Sequence, residues 1–138
     1  GLSNTKNFFC DNKMADLKHP IGYLERTDFS DSGDLIGQLG SKPVFVMIQG
    51  SYCGGCTASK PDFQRLGNDG AVTCMTIQLD GDRQSEKNIQ SSGVLNNIYP
   101  NLETVPSYIL YINGNKRIPY KGNDRSFAAL KQFVQQYI

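Results

Sequence analysis

The sequence has no tryptophan, one histidine and only 4 cysteines in 138 residues, too few cysteines for a scaffold built from disulfides. Its longest apolar run, residues 44–48, is far shorter than the roughly 20 residues that a membrane-spanning helix needs. No charge of one sign dominates, because 14 basic and 13 acidic residues are spread along the chain and give a net charge of +1. We therefore expect neither a nucleic-acid partner nor a membrane partner.

Length and composition also bound the organisation. A chain of 138 residues is expected to form one domain that buries roughly two-thirds of its unfolded surface. We assign residues 1–20 to a polar N-terminal extension, with a short helical turn around residues 11–17, and residues 21–138 to the domain. The sequence begins without the apolar stretch of a signal peptide, which favours a cytoplasmic location. No exposed apolar seam is evident, so we expect a monomer.

Hydrophobic periodicity predicts alternating strands and helices. Strands are expected at residues 21–28, 42–49, 71–80, 106–114 and 115–122. Helices are expected at residues 30–40, 53–66, 83–98 (weakly broken at Gly93) and 124–138. The last helix is amphipathic, and one stripe carries Phe127, Leu130, Phe133, Val134 and Tyr137. This order predicts an α/β fold with a mostly parallel central sheet and an antiparallel hairpin at its edge.

The close cysteine pair lies where a strand runs into a helix. A C-x-x-C beside a βαβ pattern is typical of a redox site. Cys53 is expected at the N-terminus of the helix, where free backbone N–H groups and the helix dipole stabilise a thiolate. Cys56 follows within disulfide reach, and Gly54 and Gly55 leave the approach open. We predict that Cys53 attacks a disulfide and that Cys56 resolves the mixed disulfide.

Other interpretations of the pair carry less weight. A structural zinc site usually has four ligands, and the only histidine, His19, is distant in sequence and expected in an exposed loop. An inert structural disulfide across so short a loop would stabilise the fold little. The glycine-rich stretch lacks the G-K-[ST] of a phosphate-binding loop. Electron exchange therefore remains the preferred hypothesis.

Several ordered features resemble the thioredoxin family. The strand-to-cysteine junction reads VFVMIQGSYCGGC, Pro61 follows shortly after Cys56, TVPSYILYINGNKR precedes a hairpin, and Gly122 precedes the last helix. The resemblance covers residues 23–138. It implies a thioredoxin fold, with a central mixed sheet of about four to five strands flanked by helices.

The resemblance also implies an activity. A thiol–disulfide oxidoreductase of this family exchanges disulfides with protein substrates, and a reductase or an oxidant recycles its cysteine pair. No organic cofactor or metal is implied, because the electrons reside in the two cysteines. Pro106 corresponds to the family's cis-proline, preceded by Val105, and these two residues with Tyr52, Gly54 and Gly55 are the expected substrate-binding residues. The direction of electron flow stays open.

The sequence departs from the family at four places, one of which is the dipeptide Gly54-Gly55 in place of Gly-Pro or Gly-His. Tyr52 replaces a tryptophan, and Met47 takes the place of a buried acid that assists the resolving cysteine. Cys56 is thus left without an obvious base, and a water or Asp80 is a candidate. Residues 96–104 form an insertion that could shape substrate choice. Met47 and the missing tryptophan motivate an alternative: a redox-inactive binding or structural module with a stabilising disulfide.

Two cysteines lie apart from the pair. Cys74 falls in the middle of a predicted strand and is expected to be a buried free thiol. Cys10 lies in the extension, where it could pair with Cys74 or act as a second redox thiol.

Overall fold

The computed structural model describes residues 16–138. Five strands form one sheet in the order β1-β3-β2-β4-β5. The strands are β1 (Gly22–Tyr23), β2 (Val44–Gln49), β3 (Thr73–Gln78), β4 (Ser107–Tyr111) and β5 (Arg117–Pro119). The α-helices are α1 (Gly54–Asp69), α2 (Gln84–Ser91), α3 (Val94–Ile98) and α4 (Phe127–Gln135), and two short 3-10 helices cover Arg26–Asp28 and Gly37–Ser41.

The sheet is mixed, and the implied fold class is confirmed. Strands β1 and β2 run parallel to β3, whereas β4 runs antiparallel to both β2 and β5. Three adjacent parallel strands and the antiparallel β4–β5 hairpin at the edge agree with the expected arrangement, and the structure adds that the hairpin joins β2 in the antiparallel sense. Because β4 runs against β2, its first residue, Ser107, lies opposite Ile48 near the end of β2. This register brings the segment before β4 close to the C-terminal end of β2, from which the chain continues to the cysteine pair.

Strand β2 is buried along its whole length, as its unbroken apolar run predicts. Val44, Val46 and Ile48 pack into a core with residues of α2 and α3 on one face. Phe45 and Met47 point to the opposite face and pack into a second core with residues of α1 and α4. The domain therefore has helices on both sides of the sheet. Helices α1 and α4 pack on the face to which Met47 points.

The predicted helix at residues 30–40 is wrong. Only a 3-10 turn forms there, and Phe29 pairs with Leu35 through an isolated antiparallel bridge. Gly33 has a positive φ of 88°, which interrupts a right-handed helix. The hydroxyl of Ser30 accepts from the backbone N–H of Asp34 (3.1 Å) and closes a tight loop instead of capping a helix.

Two other elements differ from the sequence expectations. The strand predicted at residues 21–28 is only Gly22–Tyr23, because a 3-10 turn at Arg26–Asp28 follows it. The helix predicted at residues 83–98 is interrupted at Gly93, as expected, but the interruption divides it into two separate helices. Gly93 has a φ of 85° and separates α2 from α3.

The amphipathic character of α4 is confirmed for most of its stripe. Leu130 and Val134 are buried, Phe127 and Phe133 are half-buried, but Tyr137 lies beyond the helix and is 43% exposed.

The described part of the N-terminal segment packs on the domain. Leu17 is only 4% exposed and joins the core on the α1 side. The backbone of Lys18 exchanges two hydrogen bonds with the side chain of Gln64 in α1 (2.7 and 3.0 Å). His19 is exposed, as predicted. Most of the predicted helical turn, and Cys10, lie outside the described residues. Within residues 16–138, no helix is long and apolar enough to cross a membrane.

Candidate active site

Cys53 is the residue that caps α1. Its backbone is extended (φ −93°, ψ 115°), and its Sγ accepts a hydrogen bond from the backbone N–H of Cys56 at 3.0 Å. This N–H is one of the groups that the first turn of a helix leaves without a backbone partner. A negative sulfur gains more from such a bond, and from the positive end of the helix dipole, than a neutral thiol does. The position therefore favours a reactive sulfur.

A second segment reaches Cys53 from β4. The Cys53 thiol donates to the carbonyl oxygen of Val105 at 3.4 Å. The peptide bond between Val105 and Pro106 is cis. A Cβ placed on Gly55 would lie 3.6 Å from Cδ of Pro106, whereas one placed on Gly54 would meet nothing within 4 Å. The structure thus brings together Cys53, Gly55, Val105 and Pro106.

Cys56 lies behind Cys53 and is fully buried. Burial raises the pKa of its thiol, and the hydrogen bond to Cys53 raises it further, while the positive charge of Lys60 acts in the opposite direction. Lys60 follows one turn later on the interior side of α1 and is itself only 3% exposed. The two cysteines are therefore unequal: Cys53 is accessible, and Cys56 is shielded and holds its proton at neutral pH.

Asp80 anchors the loop that leads to Cys53. Its carboxylate accepts from the backbone N–H of Ser51 at 2.8 and 3.0 Å, and from the Ser51 hydroxyl at 2.7 Å. Burial alone would raise the pKa of Asp80, but these hydrogen bonds outweigh burial and lower it. A carboxylate of lowered pKa is a weak proton acceptor. The contacts therefore favour a structural role for Asp80 over the role of base to Cys56.

We predict that Asp80→Asn lowers stability in a pH-dependent way. Because the folded-state pKa of Asp80 is depressed, its stabilisation is fully present above the unfolded value of about 3.9 and is lost as the pH falls through the folded value. Urea unfolding between about pH 2 and 7 should show wild type more stable than the variant near neutrality, with the difference shrinking in acid. The control is Asp82→Asn, which removes the same charge from an exposed side chain. A difference that grows in acid would contradict the assignment.

Tyr52 and Met47, the positions that depart from the family, have opposite environments. Tyr52 is 95% exposed directly before Cys53, so its ring is available to a binding partner. Met47 is fully buried and lies opposite Thr76 on β3 and Tyr108 on β4. At this position β2 supplies a methionine and no carboxylate.

Sequence reasoning missed two buried residues near Cys56, Lys60 and Tyr108. Lys60 could have been found, because it follows Cys56 by four residues and the two side chains therefore lie on one face of a helix.

The predicted burial of Cys74 is confirmed. Its thiol is bonded to no other cysteine of residues 16–138, and burial raises its pKa to about 12, so the thiol is unreactive at neutral pH. Its proposed pairing with Cys10 falls outside the described residues. Across residues 16–138, no group of three or more histidine, cysteine, aspartate or glutamate side chains converges in a way that could hold a metal ion.

The mixed sheet between two helical layers, with a C-x-x-C pair at the start of α1, defines a thioredoxin-like protein. The chain belongs to the thioredoxin-like family: it is 40% identical to thioredoxin-like protein 453L of Invertebrate iridescent virus 6, over 86% of this chain and 94% of that relative. No family model matches the chain. Membership supports a thiol–disulfide oxidoreductase in general terms.

Solved structures are similar in fold. The reduced thioredoxin pre-protein of Schistosoma mansoni has a TM-score of 0.59 at 20% identity, over 86% of this chain and 98% of that one. The J-Trx1 fragment of ERdj5 has a TM-score of 0.60 at 22% identity, over 84% of this chain and 50% of that one. Thioredoxin f2 of Chlamydomonas reinhardtii has a TM-score of 0.57 at 18% identity, over 84% of this chain and 94% of that one. These likenesses concern the fold.

Proposed function

We propose that this protein exchanges disulfides with protein substrates, with Cys53 as the nucleophile and Cys56 as the resolving thiol. The observation that carries the proposal is the asymmetry of the pair. Cys53 is accessible and accepts a backbone hydrogen bond at the start of α1, whereas Cys56 is fully buried behind it. A partner disulfide can reach Cys53, and Cys56 is the one thiol of residues 16–138 that is placed to displace the product.

The exchange proceeds in two steps when the pair starts reduced. The Cys53 thiolate attacks one sulfur of a substrate disulfide, the substrate S–S bond breaks, and the released substrate sulfur takes up a proton. Cys56 then loses its proton and attacks Sγ of Cys53. The mixed disulfide breaks, the second substrate sulfur leaves, and a Cys53–Cys56 disulfide remains. Two electrons have passed to the substrate, and a dithiol reductant must restore the pair. Run in reverse, with an oxidant as recycler, the same steps oxidise a substrate.

The surface around Cys53 is suited to an extended peptide. The exposed ring of Tyr52 and the open side of Gly54 flank the sulfur, and Val105 and Pro106 form its other border. We propose these residues, with Gly55, as the substrate-binding set. Main-chain groups beside a reactive sulfur can pair with a substrate segment while tolerating different side chains.

A groove continues from this border. It has a volume of about 390 Å³ and includes Leu79, Leu95, Tyr99, Leu102 and Val105 in its lining. Several lining residues belong to the insertion at residues 96–104, and Val105 is shared with the contact to Cys53. This continuity supports the hypothesis that the insertion influences substrate choice.

The test is equilibration of the protein with glutathione buffers of graded ratio, followed by alkylation of free thiols and mass measurement. We expect Cys53 and Cys56 to change together as one two-electron couple, with Cys74 reduced throughout. A potential near about −270 mV would assign a reductant, and one near about −180 to −120 mV an oxidant or isomerase. If the pair never exchanges at any ratio, the redox-inactive module is the correct description.

A further inference from the structure

Tyr108 carries a buried hydroxyl without a hydrogen-bond partner. The residue is 2% exposed, and its ring stacks on Phe45 and contacts Phe63, at centroid distances of 5.7 and 5.9 Å. Among the described residues, only its hydroxyl oxygen and Oε1 of Gln49 are buried side-chain polar atoms left unpaired. An unpaired buried polar group costs free energy, so its presence requires an explanation.

The Tyr108 ring lies against α1, where it contacts Phe63, and Ser59 and Cys56 of that helix are close enough to influence its hydroxyl. Cys56, Ser59 and Lys60 form the first buried turn of that helix. Ser59 lies beside the Tyr108 hydroxyl, but its own hydroxyl donates to the carbonyl oxygen of Gly55 at 2.8 Å. Among the described residues, nothing lies within hydrogen-bond geometry of the Tyr108 hydroxyl, so it remains available to donate to another acceptor.

The charged and titratable groups around this hydroxyl come from several elements. Cys56 and Asp62 of α1 raise the pKa of the Tyr108 hydroxyl, and Arg125, in the segment before α4, lowers it. Tyr120 packs edge-on against the Tyr108 ring and donates its own hydroxyl to the carbonyl oxygen of Asp124 at 2.6 Å. Cys56 is also within range of the Lys60 charge. Of these, only Cys56 has to ionise in the proposed exchange.

The pairing of β2 with β4 places Tyr108 beside Met47. The two residues are direct antiparallel partners, so their side chains lie on the same face of the sheet. Met47 can neither donate nor accept a proton there. Burial raises the pKa of Tyr108 to about 12, so the phenol keeps its proton at neutral pH. It can therefore serve as a hydrogen-bond donor but not as a base.

We infer that Tyr108 stabilises the thiolate of Cys56 by donating a hydrogen bond to it, directly or through one water, during resolution. The inference rests on the proposed function. The Cys56 proton passes to solvent, and the phenol O–H bond stays intact. Sγ of Cys56 then bonds to Sγ of Cys53 while the substrate sulfur leaves with its electron pair. Tyr108 is thus a positioning residue that lowers the cost of ionising a buried thiol.

The test compares Tyr108→Phe with Tyr111→Phe. Both changes remove one hydroxyl from a buried tyrosine of β4, but the Tyr111 hydroxyl donates to the carbonyl oxygen of Gly33 at 2.7 Å on the other face of the sheet. Each protein is loaded with thionitrobenzoate as a mixed disulfide on Cys53. Release of the dye by Cys56 is then followed in a single turnover as a function of pH.

We expect Tyr108→Phe to slow dye release about tenfold at neutral pH and to shift the rate–pH profile upward by about one unit. At high pH, where Cys56 is ionised in both proteins, the rates should converge. Tyr111→Phe should lower stability and leave the profile in place. A Tyr108→Phe profile that superimposes on wild type overturns the inference while the proposed function stands. A wild-type protein that never releases the dye overturns both.

Discussion

Replacing Cys53 by serine should reduce disulfide exchange at least about a thousandfold, because the proposed nucleophile is the Cys53 thiolate and a serine hydroxyl is not ionised at neutral pH. Cys56→Ser should fail differently. Cys53 would still attack, but the mixed disulfide would persist, since no other thiol in the described part of the chain is placed to displace the substrate. The two variants therefore separate the first step from the second. The measurement is the rate of reduction of a disulfide-bonded model protein, with covalent complexes resolved on non-reducing gels.

The matched control for these variants is Cys74→Ser. Cys74 is also buried, and its thiol has a pKa raised to about 12 by burial alone, so its loss should leave exchange intact. A covalent complex that accumulates with Cys53→Ser instead of Cys56→Ser would reverse the assigned roles. Full activity of both single variants would mean that the pair is not the reacting centre.

The site was predictable where local chemistry determines it. The apolar run of β2, the C-x-x-C and the following helix are adjacent in sequence, so the location of Cys53 at a helix N-terminus follows from strand and helix signals alone. The contact between Cys53 and Val105 joins residues 52 positions apart. No spacing predicts it, and only the family resemblance indicated it.

The features that the sequence did not indicate have a common physical origin. The tight loop at Ser30 satisfies backbone groups with a side chain, and the same residue types would also suit the cap of a helix. The antiparallel direction of β4 depends on the path by which the segment after α3 returns to the sheet. Hydrophobic periodicity does not predict that path. The placement of Tyr108 opposite Met47 depends on that register. Tyr108 was therefore beyond the reach of sequence reasoning, because its position beside Met47 arises from strand pairing.

The largest effect on stability is expected for Phe45→Ala, with a loss of about 3–5 kcal/mol in the free energy of unfolding. Phe45 is fully buried in the middle of the sheet, and its ring contacts Phe63, Tyr108 and Phe133 at centroid distances of 5.9, 5.7 and 6.0 Å. Truncation removes apolar contacts from α1, β4 and α4 at once and leaves a cavity. Because domains of this size are stable by only about 5–15 kcal/mol, the loss is a large part of the total.

Urea unfolding measures this loss as a shift of the midpoint with an unchanged slope. Ile36→Ala is the comparison, because Ile36 is 46% exposed and its truncation should change stability by no more than about 0.5 kcal/mol. Equal effects of the two substitutions would contradict the central place of Phe45 in the core. The ring also supports Tyr108 by stacking at an interplanar angle of 15°. Folded Phe45→Ala should therefore release the dye from Cys53 more slowly than wild type, because the hydroxyl that serves Cys56 is no longer held in place.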